Sequence, residues 1–136
     1  MQTATKHWDT YQNEAVTEYT IENDHGVKLA ILSWGATLHQ LTVPTDKGDK
    51  NLVLSYHKMA DYLDNPFYVC MGIGRTAGRI TRGTFDLDGQ TIHVDPNEGQ
   101  NTLHGGPHGF NTVNWAGDLD TTDPNKARII LTHTFK

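Results

Sequence analysis

Apolar and polar residues alternate with a period of two along most of the chain, and this alternation constrains the fold more than any other feature. One alternating run covers residues 18–22, the turn residues 23–26 follow, and a second run covers residues 27–31. Successive side chains of a β-strand point to opposite faces, so each run can bury one face and expose the other. The pattern predicts a mostly β chain that folds through antiparallel hairpins.

The clearest hairpin signal is centred on the dipeptide Asp88-Gly89. Apolar alternation precedes it over residues 85–87 and follows it over residues 92–94, and Asp-Gly readily takes the positive φ angles of a type I′ turn. A last alternating run over residues 129–135 predicts a final strand that still awaits a neighbour. Only residues 58–63 predict a helix, of one or two turns, which Asn65-Pro66 ends.

The composition is that of one ordinary folded domain. The chain has 136 residues, of which 36% are hydrophobic and 20% are charged. A chain of this length can bury a modest core, so we expect a single β-rich domain over residues 1–136. The formal net charge of −5 argues against nucleic acid or an anionic membrane as a partner, since both need a basic surface.

The single cysteine, Cys70, cannot form an internal disulfide. It lies in the apolar run 67–71, which predicts a free and buried thiol. The first residues of the sequence lack the apolar core of a signal peptide, and no run is long enough to span a membrane. We therefore expect a cytoplasmic protein.

Two histidines lie in a glycine-rich loop, NTLHGGPHGFNTVNW, at residues 101–115. Glycines leave the backbone around His104 and His108 open, while Phe110 and Trp115 add aromatic surface. That combination suits a polar ligand with an apolar face, such as a sugar. The same residues are equally consistent with an ordinary surface turn and two aromatic core residues. The loop alone leaves both interpretations open.

Two other kinds of site fit the local motifs poorly. Residues 72–77 match a dinucleotide-binding fingerprint, but that motif needs a helix directly after its glycines, and a predicted hairpin follows instead. His104 and His108 lie four residues apart, yet the surrounding glycines and Pro107 exclude a helix that would place both on one face. We therefore expect neither a nucleotide nor a metal. Solvated or hydrogen-bonded surface positions are expected for the other histidines: His7, His25, His39, His57, His93 and His133.

A second segment, GIGRTAGRITRGTFDLDGQ at residues 72–90, precedes the histidine loop. Together the two segments resemble the aldose 1-epimerase (galactose mutarotase) family, whose chains carry these motifs in this order. The residues that match the family motifs are Gly74-Arg75, Gly78-Arg79-Ile80, residues 83–89, residues 101–106, Gly109-Phe110 and Trp115. Residues 34–37, 41–44 and 52–54 also match, so the resemblance covers nearly the whole chain.

The resemblance implies an antiparallel β-sandwich, the galactose mutarotase-like supersandwich, with a sugar cleft on one sheet. Family members are much longer than 136 residues, so we expect this chain to form the N-terminal part of that fold. The family's later acid histidine, sugar-holding aspartate and glutamate base then have no counterparts here. Part of a larger sandwich exposes an apolar face and a sheet edge, so we also expect a homo-oligomer formed through that edge.

The resemblance also implies roles for particular residues, and it implies no cofactor. His104 would be a catalytic residue that hydrogen-bonds and polarises the sugar, and Arg79 would direct its donors at the sugar oxygens. Gly78 stands where many members carry asparagine, so only its backbone could contribute to binding. Arg79 could instead pair with a carboxylate on the sheet surface. Structural roles are expected for Arg75, Asn101, Phe110 and Trp115, and a contact at the rim of the site for His108.

Two functions remain open on the sequence. The first is an aldose 1-epimerase that interconverts the α and β anomers of an aldohexose such as galactose or glucose. The second is a non-catalytic carbohydrate-binding or interaction module of the same fold. The missing base argues against activity, because Glu98 and Asp95 lie near the loop in sequence alone. The retained pair of Arg79 and His104 argues against a passive module.

Overall fold

A computed structural model describes residues 1–135, and it consists almost entirely of antiparallel β-strands. The main sheet is a five-stranded meander in which each strand pairs with the next along the chain. Its strands are β1 (Gln2–Tyr11), β2 (Glu14–Glu22), β3 (Lys28–Leu32), β4 (Thr37–Val43) and β5 (Lys50–Asn51). The predicted mostly β, antiparallel chain is confirmed.

Three two-stranded sheets follow the meander. They pair β6 (Arg79–Ile80) with β9 (Thr102–Leu103), β7 (Thr84–Leu87) with β8 (Gln90–His93), and β10 (Ala116–Asp120) with β11 (Arg128–Thr132). In the sequence, strands β6 and β9 are separated by the β7–β8 hairpin. Their pairing therefore joins segments that are distant in sequence, and this pair carries the candidate site.

Both predicted hairpins form. In the first, Tyr19 of β2 lies opposite Ile31 of β3. In the second, Phe85 of β7 lies opposite Ile92 of β8, and the turn residues Asp88 and Gly89 have φ angles of 50° and 76°. Positive φ at both central positions is what a type I′ turn requires, so the prediction from the Asp-Gly dipeptide is confirmed.

The predicted helix is also present, as α1 (Met59–Leu63), and Lys58 is its N-cap residue. Its side chains Met59 and Tyr62 are buried against the sheet. Two 3₁₀ turns cover Thr81–Gly83 and Phe110–Thr112. Among residues 1–135 there is no helix with the length and apolar character needed to cross a membrane.

The main sheet is covered on both faces. Val16 and Leu32 are fully buried on one face, where Tyr62 of α1 and Met71 pack against Leu32. Tyr19 points to the opposite face, where its ring lies so close to Gly117 of β10 that a Cβ there would overlap it. The β10–β11 hairpin thus forms a second layer over β2. Burial of these apolar side chains is the main source of stability in this half of the chain.

The final alternating run was predicted to be a strand that still awaits a neighbour; the strand is confirmed over Arg128–Thr132, and it has one neighbour. Strand β11 ends at Thr132 and pairs along its whole length with β10. The last part of the run lies outside the strand, and there the ring of Phe135 stacks on the ring of Phe110, with centroids 5.2 Å apart. Among the described strands, β11 has no second neighbour, and β1 is also an edge strand, whose first six residues are exposed. Association through a sheet edge stays a prediction.

Two burial predictions are wrong. Cys70 is half-buried rather than buried, and it lies in a turn with a φ of 52°. His39 was expected at the surface, yet its side chain is only 14% exposed. Helix α1 places the Tyr62 hydroxyl 3.0 Å from Nδ1 of His39, and the ring of Trp8 packs edge-on against the imidazole. Helix α1 thus covers a polar residue of strand β4.

Candidate functional site

The pairing of β6 with β9 brings the predicted site residues Gly78, Arg79 and His104 together. Arg79 lies opposite Leu103 in the strand register. The backbone N–H of His104 donates to the carbonyl of Gly78 at 2.9 Å, and the N–H of Gly78 donates to Nδ1 of His104 at 3.1 Å. The backbone of Gly78 therefore holds both the main chain and the ring of His104.

The contact with Gly78 fixes which nitrogen of His104 carries the proton. A ring nitrogen that accepts a hydrogen bond is unprotonated, so the neutral imidazole keeps its proton on Nε2. The ring of Tyr68 packs edge-on against the imidazole, with centroids 5.0 Å apart. His104 is therefore a half-buried, oriented group that can donate a hydrogen bond from Nε2.

Arg79 is oriented by a carboxylate across the turn. Its Nη2 donates to Oε1 of Glu98 at 2.6 Å, and its Nε donates to Oε2 of the same carboxylate. Both side chains are substantially exposed, at 58% for Arg79 and 39% for Glu98. The pair uses one edge of the guanidinium and leaves the donors on Nη1 available for a ligand. The carboxylate pairing anticipated from the sequence is present, while sugar binding by Arg79 stays a prediction.

The ion pair determines what Glu98 can do chemically. Its hydrogen bond from Arg79 lowers the pKa of the Glu98 carboxyl below its usual range, and the same contact raises the pKa of Arg79. A carboxylate with a lowered pKa is a weak proton acceptor near neutral pH. Asp95 contributes its backbone carbonyl, which accepts the hydroxyl of Thr102 at 2.9 Å. Glu98 thus suits orientation of Arg79 better than general base catalysis.

Sequence reasoning missed two side chains beside His104, namely Tyr68 and Asn97. The Asn97 amide accepts the N–H of Leu103 at 2.6 Å and donates to the carbonyl of Leu103 at 3.0 Å. It also donates to the hydroxyl of Tyr68 at 3.3 Å. The turn composition around Asn97 could have indicated a side chain that bonds to the backbone, because asparagine commonly does so in turns. No local signal indicates Tyr68.

Close backbone contact explains one glycine of the loop. Gly105 has a φ of 93°, and a Cβ at this position would collide with the carbonyl oxygen of Gly74. Only glycine accepts both the positive φ and the contact without strain. The residue directly after His104 is therefore packed against the Gly74-Arg75 segment. This contact sets how closely the backbone of the loop approaches that segment.

A separate cavity of about 280 Å³ lies next to this loop, and neither Arg79 nor His104 lines it. It is an aromatic cavity, lined in part by Phe85, Phe110 and Phe135. The guanidinium of Arg75 lies 4.9 Å from the centroid of the Phe135 ring. His108 is exposed at the cavity and is not brought to His104. The size of this cavity does not identify the site, because the oriented polar groups lie elsewhere.

The remaining residues of the loop have structural contacts. Trp115 donates from Nε1 to the carbonyl of Phe110 at 3.1 Å, and the two rings pack edge to face. The side-chain oxygen of Asn101 accepts the backbone N–H of Arg82 at 3.1 Å, which ties the loop to the segment after β6. Across residues 1–135, no group of three His, Cys, Asp or Glu side chains is arranged to hold a metal ion.

Comparison with known proteins identifies the fold family. The sequence model of the family described as aldose 1-epimerase matches residues 17–136. A maltose epimerase from Levilactobacillus brevis is 42% identical over 125 residues, which cover 92% of this chain and 36% of that protein. A human galactose mutarotase is 37% identical over 101 residues, which cover 74% of this chain and 29% of that protein.

Solved structures agree with the sequence matches. The crystal structure of a galactose 1-epimerase from Lactobacillus acidophilus superposes with a TM-score of 0.80 at 28% identity, over 96% of this chain and 37% of the other. The all-β fold class inferred from the resemblance is thereby confirmed for the part that this chain covers. The chain spans about a third of the length of these relatives, 36% and 37% for two of them. The matches in sequence and structure show that this chain belongs to the aldose 1-epimerase family.

Proposed function

We propose that this chain supplies a hexose-binding pair, Arg79 and His104, to an aldose 1-epimerase that interconverts α and β anomers. One observation carries the proposal. The short β6–β9 sheet sets Arg79 opposite Leu103, one residue before His104, and Glu98 orients the guanidinium while a backbone N–H occupies Nδ1 of the imidazole. In the proposed complex these two oriented donors would bind neighbouring oxygens of one sugar ring.

The reaction explains why donors are needed at that place. Anomers interconvert when the ring oxygen gains a proton while a base removes the proton from the C1 hydroxyl, which breaks the bond between C1 and the ring oxygen. Rotation about the C1–C2 bond and reclosure then give the other anomer. Arg79 would stabilise negative charge that develops on the ring oxygen, and the Nε2–H of His104 would polarise the same region.

The substrate proposed is a free aldohexose or the reducing hexose of a disaccharide. Two relatives are named for galactose and one for maltose, which share a reducing hexose unit. Gly78 leaves open space beside the pair, since a Cβ there would meet nothing within 4 Å. A sugar larger than a monosaccharide could therefore extend past this position.

The experiment is polarimetry on freshly dissolved α-galactose and α-maltose in the presence of the folded protein. We expect any acceleration over buffer to depend on the pair, and so to fall at least about tenfold in Arg79→Ala and His104→Ala. Arg128→Ala and His93→Ala are matched controls on other strands, because Arg128 also pairs with an exposed carboxylate, at 3.1 Å. The controls should keep the wild-type rate.

Two outcomes would contradict the proposal. Acceleration retained in Arg79→Ala and His104→Ala would place the chemistry elsewhere. No acceleration by the folded wild-type chain would contradict activity for these 136 residues. Hexose binding that is lost in both variants, measured in the same samples, would then favour the non-catalytic carbohydrate-binding module.

A further inference from the structure

We propose that Asn97 and Glu98 are the positioning residues of this site, with Asn97 orienting His104 and Glu98 orienting Arg79. The inference rests on the proposed function for its consequence, which is weaker hexose binding when either side chain is removed. Its structural content concerns the protein without sugar, so it can be tested separately. Two adjacent residues of one turn would then control both members of the hexose-binding pair.

The turn that carries them is closed by its own backbone. The carbonyl of Asn101 accepts the N–H groups of Asn97 and Glu98, each at 3.1 Å. The N–H of Asn101 returns a hydrogen bond to the carbonyl of Glu98 at 2.9 Å. Strand β9 begins at the next residue, so the turn is fixed to the strand that leads to His104.

The Asn97 amide bonds to the side of β9 that faces away from β6, where a third strand would otherwise pair. His104 bonds to Gly78 of the neighbouring segment, and in an antiparallel pair the N–H and C=O of the next residue point the other way. The Asn97 amide bonds to both groups of Leu103, accepting its N–H at 2.6 Å and donating to its carbonyl at 3.0 Å, and that carbonyl also accepts the N–H of Gly106 at 3.0 Å. The N–H of Leu103 would lose its partner without Asn97, and an unpaired backbone group is costly, so the amide stabilises this two-residue strand against fraying.

The Asn97 amide also contacts the aromatic side chain that packs against the His104 ring. It donates to the Tyr68 hydroxyl at 3.3 Å, and the Tyr68 ring meets the His104 ring edge-on at an interplanar angle of 70°. The imidazole therefore has the backbone N–H of Gly78 at Nδ1 and the Tyr68 ring beside it. Removing the Asn97 amide loosens the strand before His104 and the aromatic ring next to it.

Glu98 orients the guanidinium of Arg79 more than it stabilises the folded protein. An exposed ion pair adds little to folding, because water competes for both charges. Two parallel hydrogen bonds nevertheless fix the plane and the direction of the guanidinium. A long side chain that is already ordered loses less conformational entropy when a ligand binds, so the pair favours binding of a sugar to Arg79.

The first test uses the sugar-free protein and nitrogen-detected NMR of side chains. In the wild type we expect one resolved Nε–H signal for Arg79 and a His104 ring with its proton on Nε2. Glu98→Ala should shift and broaden the Arg79 signal, and Glu98→Gln should do so partly. Asn97→Ala should mix the two tautomers of His104, while Asn97→Asp keeps the acceptor for Leu103 and should disturb the ring less. Asp120→Ala is the matched control, because it releases Arg128 and should leave Arg79 unchanged.

The second test is hexose binding by calorimetry at matched folded fractions. We expect the dissociation constant to rise about 2- to 10-fold in Glu98→Ala and Asn97→Ala, the range for releasing one or two ordered side chains. A merely structural role would lower the unfolding midpoint and leave both the His104 tautomer and the Arg79 signal as in the wild type. That result would overturn the inference. A wild type that binds no hexose would overturn the proposed function alone, since the sugar-free spectra decide the positioning roles by themselves.

Discussion

The five-stranded sheet and the site region, defined here as residues 74–106, are stabilised in different ways. The sheet is held by burial of large side chains such as Leu32 and Val16, both without solvent exposure. Within the described chain, no buried large apolar side chain belongs to the site region, which depends on turns, short strands and side-chain bonds to the backbone. The comparison indicates that one part supplies stability and the other supplies geometry.

This division has a physical consequence for function. Segments with few buried apolar contacts open locally at a lower free energy than core strands. Binding sites can use such segments, because a ligand that orders them adds its own interactions. The hexose-binding pair should therefore be sensitive to small backbone changes that hardly alter global stability, and the sheet should show the reverse behaviour.

The largest expected effect on stability is in the sheet. Leu32 is fully buried in the cluster with Tyr62 and Met71, so Leu32→Ala leaves a cavity. We expect it to lower the free energy of unfolding by about 4 kcal/mol, near the upper end for a truncated leucine. Denaturant titration measures this loss. A loss below about 1.5 kcal/mol would contradict the claim that burial around Leu32 holds the sheet together.

Next in size is a pair of glycine substitutions within the site region. Gly105→Ala combines a positive φ with a collision against Gly74, and we expect a loss of about 3 kcal/mol and displacement of His104. Gly99→Ala has a φ of 58° and nothing within 4 Å of a new Cβ, so we expect a loss of about 1 kcal/mol. Hexose affinity measured on both variants should fall mainly for Gly105→Ala. Equal effects would mean that the close backbone contact is unimportant.

The smallest effect is a pH dependence in the sheet. Burial lowers the pKa of His39 below its ordinary value of 6.5, although Glu18 opposes the shift. Nδ1 of His39 faces the Tyr62 hydroxyl at 3.0 Å, and Lys6 on β1 disfavours the charged ring further. The unfolded chain therefore binds a proton first as the pH falls. The stability that neutral His39 contributes is present above 6.5 and is lost as the pH falls below that value.

Denaturation at about pH 7.5 and about pH 5.5 tests this dependence. The loss of unfolding free energy on acidification should be smaller in His39→Gln than in the wild type. An equal or larger loss in the variant would assign the pH dependence to other groups. His25→Gln, at an exposed turn position, is the control and should behave as the wild type does.

The hairpins of the fold could be predicted because their signals are local. Apolar alternation and Asp88-Gly89 specify strand, turn and strand within about ten residues, and the structure follows them. Strand β1 could not be predicted in that way. Its first residues are exposed on both faces, so pairing with β2 and not apolar alternation makes it a strand.

The sequence indicated which residues form the candidate site. It did not indicate which other residues hold them in place. Glycines and histidine at residues 104–106 indicated a loop, and the family motif indicated Arg79. The partners of these residues are far away in sequence, since Glu98 is 19 residues from Arg79 and Tyr68 is 36 residues before His104. Only the crossing of β6 and β9 over the intervening hairpin brings them together.

The central claim is that Arg79 and His104 bind one hexose together, and an NMR titration with galactose tests it most directly. The Arg79 Nε–H signal and the His104 ring signals should shift in a saturable way and give the same dissociation constant. Signals from Phe110 and Phe135 in the aromatic cavity serve as the internal reference. Shifts confined to the aromatic cavity, or no saturable shift at Arg79 and His104, would contradict the account.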